Sequence, residues 1–167
     1  DANGRFNVVD QLFYVDASAG ASARSISAFG PIAENGNRYS DENKTDVKTW
    51  RISPYLTHRF GNFASGILRY SHDSVDTDSG SLFGDSTADG ISLDIVSGTG
   101  FRNVGWNVRF ARQDVDNERF GDTSSQNALL GLNYRLGSTL ALTATAGYDK
   151  YDYQALGGRT SGASWSG

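Results

Sequence analysis

The chain has 167 residues, including 20 Gly, 2 Pro, no Cys and no Met, and a formal charge of −4; its mean hydropathy is −0.45 and its pI near 5.0. That length suffices for one domain with a sizeable core. Absent Cys excludes a disulfide framework and thiolate metal sites, no run approaches the ~18–20 apolar residues of a membrane helix, and the acidic balance opposes a nucleic-acid partner, which needs a basic stripe.

Residues 1–11 read as an N-terminal lead-in. From there the apolar pattern has period two, the signature of a strand with two unlike faces. Phe13, Val15, Ala17, Ala19, Ala21 and Ala23 alternate with Tyr14, Asp16, Ser18, Gly20, Ser22 and Arg24. Trp50, Ile52, Pro54, Leu56 and Phe60 alternate with Arg51, Ser53, Tyr55, Thr57 and Arg59. "NVGWNVRFARQ" (103–113) places Val104, Trp106, Val108 and Phe110 against Gly105, Asn107, Arg109 and Ala111. Ala128, Leu130, Leu132, Tyr134 and Leu136 oppose Leu129, Gly131, Asn133 and Arg135; Leu140, Leu142, Ala144, Ala146 and Tyr148 oppose Ala141, Thr143, Thr145, Gly147 and Asp149. Stretches 63–73 and 90–98 alternate less cleanly, and no segment holds a helical period over three turns. Eight antiparallel strands are predicted, near 12–26, 47–60, 63–73, 89–98, 104–114, 126–136, 139–151 and 159–167, in nearest-neighbour order.

The connections come in two sizes. "FGNF" (60–63), "GTGFRNVG" (98–105) and "LGST" (136–139) are tight Gly-bearing turns. Long polar stretches lie at 27–46, 74–89 and 115–126, with a shorter one at 152–159. Short and long connections alternate, so an up-and-down sheet carries all its turns on one edge and its loops on the other, as outer-membrane barrels do.

A soluble β-sandwich would show similar alternation, but three features favour a membrane barrel. The polar phase carries mid-strand Arg among Gly, Ser, Thr and Asn, a mixture suited to a lumen. The apolar phase is rich in Ala and Leu, which lipid accepts without a jigsaw fit. Aromatics gather near strand ends, Phe60, Phe63 and Phe101 beside turns and Trp50, Tyr70, Phe110 and Tyr148 towards the loops, matching the girdles of strands that span in ~9–11 residues. The expectation is an all-β, up-and-down transmembrane barrel over 12–167. Trp50, Ile52, Trp106, Val108, Phe110, Leu130, Leu132, Leu140 and Leu142 should face lipid. Arg51, Arg59, Asn107, Arg109, Asn133, Arg135, Thr143 and Asp149 should face the lumen.

"LFYVDASAGASARSISAFGP" (12–31), "TWRISPYLTHRFGNFASGILRYSHD" (49–73), "GWNVRFARQ" (105–113) and "LGLNYRLGSTLALTATAGYDKYDY" (130–153) resemble a group of outer-membrane β-barrel proteins associated with the PEP-CTERM and exopolysaccharide system of Gram-negative bacteria. The "SPYL-x-x-RFG-x-F-A" and "SAFGP" stretches carry the resemblance most specifically. It implies outer-membrane localisation, further hairpins beyond the eight strands, and hence a segment of a wider barrel in which 159–167 does not pair with 12–26. It implies no catalytic residues and no defined transported substrate.

Chemistry-bearing residues are few. Asp76, Asp78 and Gly80 have D-x-D-x-G spacing, but an EF-hand needs its Gly one position later and a terminal Glu; with "DVDNERFGD" (114–122) they read as solvated acidic loops. His72, Asp73 and Ser74 are the residue types of a hydrolytic triad, yet neighbours on a strand point to opposite faces, whereas a triad converges. His58 reads as an interfacial residue, and "NKT" (43–45) carries no functional weight. No enzyme activity, metal or cofactor is expected. The favoured function is a conduit or scaffold in surface export, with outer-membrane lipid, lipopolysaccharide and an exported polymer or surface protein as partners. A soluble secreted ligand-binding or adhesive β-domain is the alternative, and a small-barrel membrane enzyme comes last.

Overall fold

The structure is a computed structural model that describes residues 1–25, 44–77, 84–119, 121–137, 140–153 and 158–166. These residues form nine strands: β1 (Ala2–Val9), β2 (Phe13–Ser25), β3 (Lys44–Phe60), β4 (Ala64–Thr77), β5 (Ser86–Ser97), β6 (Val104–Asn117), β7 (Thr123–Leu136), β8 (Leu140–Tyr153) and β9 (Gly158–Ser166). They make one antiparallel sheet in sequence order, with no helix among the described residues. The eight predicted strands are present in nearest-neighbour order. The stretch read as a lead-in adds a ninth, because Ala2–Val9 pairs with β2 from Ala2↔Ala19 to Val9↔Phe13. "SAFGP" and most of the loop at 27–46 lie outside the described residues, as do 78–83 and 154–157.

The sheet is open. β9 pairs with β8 and β2 pairs with β1 and β3; no ladder joins β9 to β2, in line with the expectation for 159–167. Among the described residues each strand packs chiefly against its sequence neighbours, and no second layer of strands or helices covers either face.

Turn chemistry pins the registers. Gly61 adopts φ +56° in the β3–β4 turn, the left-handed region that costs an L side chain ~1–2 kcal/mol. The β5–β6 turn lies against its neighbour: Gly98 N–H donates to Phe63 O (2.7 Å) and Gly100 N–H to Asn62 O (2.8 Å). A Cβ at Gly98 would collide with the Asn62 carbonyl.

The hairpins are staggered. The pairs Phe13↔Leu56, Leu56↔Leu68, Leu68↔Leu93, Leu93↔Phe110, Phe110↔Ala128 and Ala128↔Tyr148 run straight across seven strands. Phe13 is the first residue of β2 at the turn edge, whereas Tyr148 lies eight residues past Leu140, the first of β8 (148 − 140). Eight residues are ~26 Å along a strand, and six inter-strand steps are ~29 Å across. With the turn tips at one level, the strands therefore tilt by ~42° from the sheet's vertical.

Candidate functional site

Cross-strand partners share a face, so the ladders sort the strand residues into two sets. Trp50, Ile52, Trp106, Val108, Phe110, Leu130, Leu132, Leu140 and Leu142 fall together on one face, with Phe13, Leu56, Leu68 and Leu93. Arg51, Arg59, Asn107, Arg109, Asn133, Arg135, Thr143 and Asp149 fall on the other. The grouping by face is the one expected from alternation.

The apolar face is bare. Among the described residues only Val47 and Ala64 are buried hydrophobics, whereas Leu130, Leu132 and Leu142 are 46 %, 47 % and 55 % exposed. A water-soluble β-sheet buries such a face against a second layer; here none is present. Aromatic rings mark both edges of the band. Phe63, Phe101 and Trp106 pack together at the turn edge, with centroids 5.5–5.9 Å apart, while Trp50, Tyr70, Phe110 and Tyr148 are exposed nearer the loops.

The polar face carries a lattice of opposed charges. Arg5 Nε donates to Asp16 Oδ1 at 2.7 Å, and Arg69 reaches across β3 to the other oxygen of Asp16 at 3.1 Å. Arg69 also donates to Ser53 Oγ (2.8 Å), and its guanidinium lies 4.1 Å from the centre of the Tyr55 ring, which stacks on Tyr14 at 5.1 Å. Ser53, 3 % exposed, donates its hydroxyl hydrogen bond to the Tyr70 backbone carbonyl (3.0 Å). Arg51 pairs with Asp73, and Arg109 with Asp94 at 2.5 Å. Asn133 donates to Thr143 Oγ1 at 3.2 Å. The lattice thus brings expected lumen residues Arg51, Arg109, Asn133 and Thr143 to cross-strand partners. Arg59, Arg135 and Asp149 stand outside it and have no ionic partner among the described residues.

Alternation alone does not identify the carboxylates Asp16, Asp73 and Asp94 or the cation Arg69. Hairpin symmetry does for two of them. Arg51 and Asp73 are equidistant from Asn62 in the β3–β4 turn, and Arg109 and Asp94 are likewise mirrored across the β5–β6 turn.

At the loop edge, Asp76, Asp85, Asp116, Glu118 and Asp122 rim a cavity of about 360 Å³. Asp85 is held by the Thr77 N–H (2.7 Å) and hydroxyl (3.0 Å). Asp78 and Gly80 of the D-x-D-x-G spacing lie outside the described residues, and no group of three His, Asp or Glu among those described could hold a metal ion. His58 lies on the apolar face and stacks edge-on with Phe60 at 4.6 Å.

No family model, curated protein or solved structure matches the chain.

Proposed function

We propose that this sheet is wall of a bacterial outer-membrane β-barrel, its apolar face towards lipid and its charge lattice towards the lumen, serving as conduit or scaffold in a surface-export system. The carrying observation is the apolar face, uncovered over seven strands and edged by aromatic residues. Lipid supplies the apolar surroundings that a second protein layer would otherwise provide. The stagger agrees, since ~42° falls within the 35–45° tilt of membrane barrels. The resemblance of "SPYLTHRFGNFA" and neighbouring stretches supports an exopolysaccharide or PEP-CTERM-type setting.

Strand parity bears on size. In an antiparallel meander every odd-numbered strand runs the same way, so the free edges of β1 and β9 are parallel to each other. Meeting directly, they would form a parallel seam, whereas bacterial single-chain barrels are antiparallel with an even strand number. Antiparallel closure takes an odd number of further strands between β9 and β1. A second copy cannot supply it, because β9 of one copy would meet β1 of the next in parallel. A barrel that includes this wall and closes in antiparallel fashion is wider than eight strands.

The test is extraction of the membrane-expressed protein. It should stay in the membrane through carbonate and high-salt washes and leave it only in detergent. Extraction in buffer without detergent would instead identify a soluble secreted β-domain.

A further inference from the structure

The neighbours His72, Asp73 and Ser74 separate by face. Asp73 turns to the polar side and pairs with Arg51, whereas His72 and Ser74 share the apolar side, about 6.7 Å apart along β4. The carboxylate that meets the imidazole comes instead from β5. Asp89 is the backbone partner of His72, and its Oδ1 lies 2.7 Å from Nδ1. The Tyr70 hydroxyl donates to the same oxygen at 2.5 Å, fixing the carboxylate from a second direction. Donating the Nδ1–H as a hydrogen bond to Asp89 leaves the lone pair on Nε2, which has no hydrogen-bond partner among the described residues. The ring lies 4.9 Å from Trp50, and Trp50 is the backbone partner of Ser74. The imidazole therefore leans towards the Ser74 end of its strand. Ser74, 7 % exposed, has one long hydrogen bond among the described residues, 3.4 Å to Asp76 Oδ1, a weak tie that a change of χ1 rotamer releases.

Beyond Trp50 the same face is hollowed. Gly4, Ala17 and Ala19 form the floor of an apolar groove of about 470 Å³ walled by Phe6, Trp50 and Ile52, a volume typical of small-ligand sites. Trp50 and Ile52, which wall the groove, are the backbone partners of Ser74 and His72, so the groove adjoins the pair on the same face.

We propose that Ser74, His72 and Asp89 form a serine-esterase site on the outer side of the wall, acting on the acyl ester of a membrane lipid whose chain occupies this groove. The lipid source rests on the membrane-wall reading; the triad does not. Ser74 Oγ attacks the ester carbonyl as its proton passes to His72 Nε2. The tetrahedral adduct collapses to acyl-Ser74, and the departing alcohol takes the proton from Nε2. Water then attacks the acyl-enzyme, giving one proton to Nε2 and releasing the fatty acid, and that proton returns to Ser74 Oγ. Asp89 orients the imidazole and faces its positive charge, and is not itself protonated.

The test treats the detergent-solubilised chain with hexadecyl fluorophosphonate and with an ethyl analogue, followed by peptide mass mapping. The expected result is an adduct on Ser74, absent in Ser74→Ala and formed about 100-fold more slowly in His72→Gln, with the hexadecyl probe at least ten-fold faster than the ethyl one. Trp50→Ala should diminish that chain-length preference. No adduct on Ser74 in a sample that needs detergent for extraction overturns the esterase and leaves the wall standing. An adduct in a protein that extracts without detergent keeps the esterase and removes the membrane wall. Equal rates for the two probes overturn the acyl groove.

Discussion

Leu130→Arg is the most informative single substitution on the apolar face. Leu130 lies between Val108 and Ala146, six residues from Leu136 at the turn end of β7 (136 − 130). Six residues span ~20 Å along the strand, and a ~42° tilt reduces this to ~15 Å of height. An apolar band ~25 Å tall puts that position near its middle, where Arg costs ~2–4 kcal/mol. The unfolding equilibrium constant in lipid vesicles should shift by roughly 30- to 700-fold. On a water-exposed sheet the same change stays within about 0.5 kcal/mol. Urea titration of the reconstituted protein, followed by tryptophan fluorescence, reads the difference. Asn107→Arg, on the opposite face of the adjoining strand, is the control and should shift stability by less than ~1 kcal/mol. Equal small effects for the two variants would refute the assignment of faces.

Three further outcomes follow from particular contacts. The Asp16–Arg69 pair is part-exposed, at 27 % and 34 %, so an Asp16→Ala/Arg69→Ala double-mutant cycle should give a coupling below ~1 kcal/mol that shrinks with added salt; a larger, salt-insensitive value would mean a dry site. Gly61→Val places a β-branched residue at φ +56° and should destabilise by ~1–2 kcal/mol or more, read as a lowered urea midpoint; an unchanged midpoint contradicts the turn geometry. A protein carrying Cys at Gly4 and Ala163 should form no intramolecular disulfide under oxidation, because β1 and β9 do not pair; a bridge, which needs Cα atoms within ~7 Å, would show that the edges meet.

Period-two alternation makes the cores of the eight strands legible, because half of each strand must satisfy an apolar environment and half a polar one. The strands also run beyond the alternating part, consistently at the loop edge: to Thr77 rather than 73, from Ser86 rather than 89, to Asn117 rather than 114, and from Thr123 rather than 126. There both faces are polar, as with Ser74 and Asp76 beside Asp73 and Thr77, so the side-chain signal ends while backbone pairing continues. β1 escapes notice for a related reason: its apolar phase holds Ala2, Gly4 and Phe6, and a register shift before Val9 breaks the alternation there. The polar lattice is partly readable, because a short hairpin sets its own register and reflects Arg51 onto Asp73. His72 and Asp89 are joined across the long connection between β4 and β5, whose length fixes no register, so their meeting appears only in three dimensions.

The central claim is that alternate residues of one strand meet lipid and water. The native chain has no Cys, so single cysteines can be introduced one at a time from Val104 to Gln113 on β6 and spin-labelled in reconstituted vesicles. Collision with oxygen, which partitions into lipid, should be high at Trp106, Val108 and Phe110, and collision with a water-soluble nickel complex high at Asn107, Arg109 and Ala111, alternating with period two. High nickel accessibility at both sets, or protection of Trp106, Val108 and Phe110 from both reagents, would contradict the membrane-wall account.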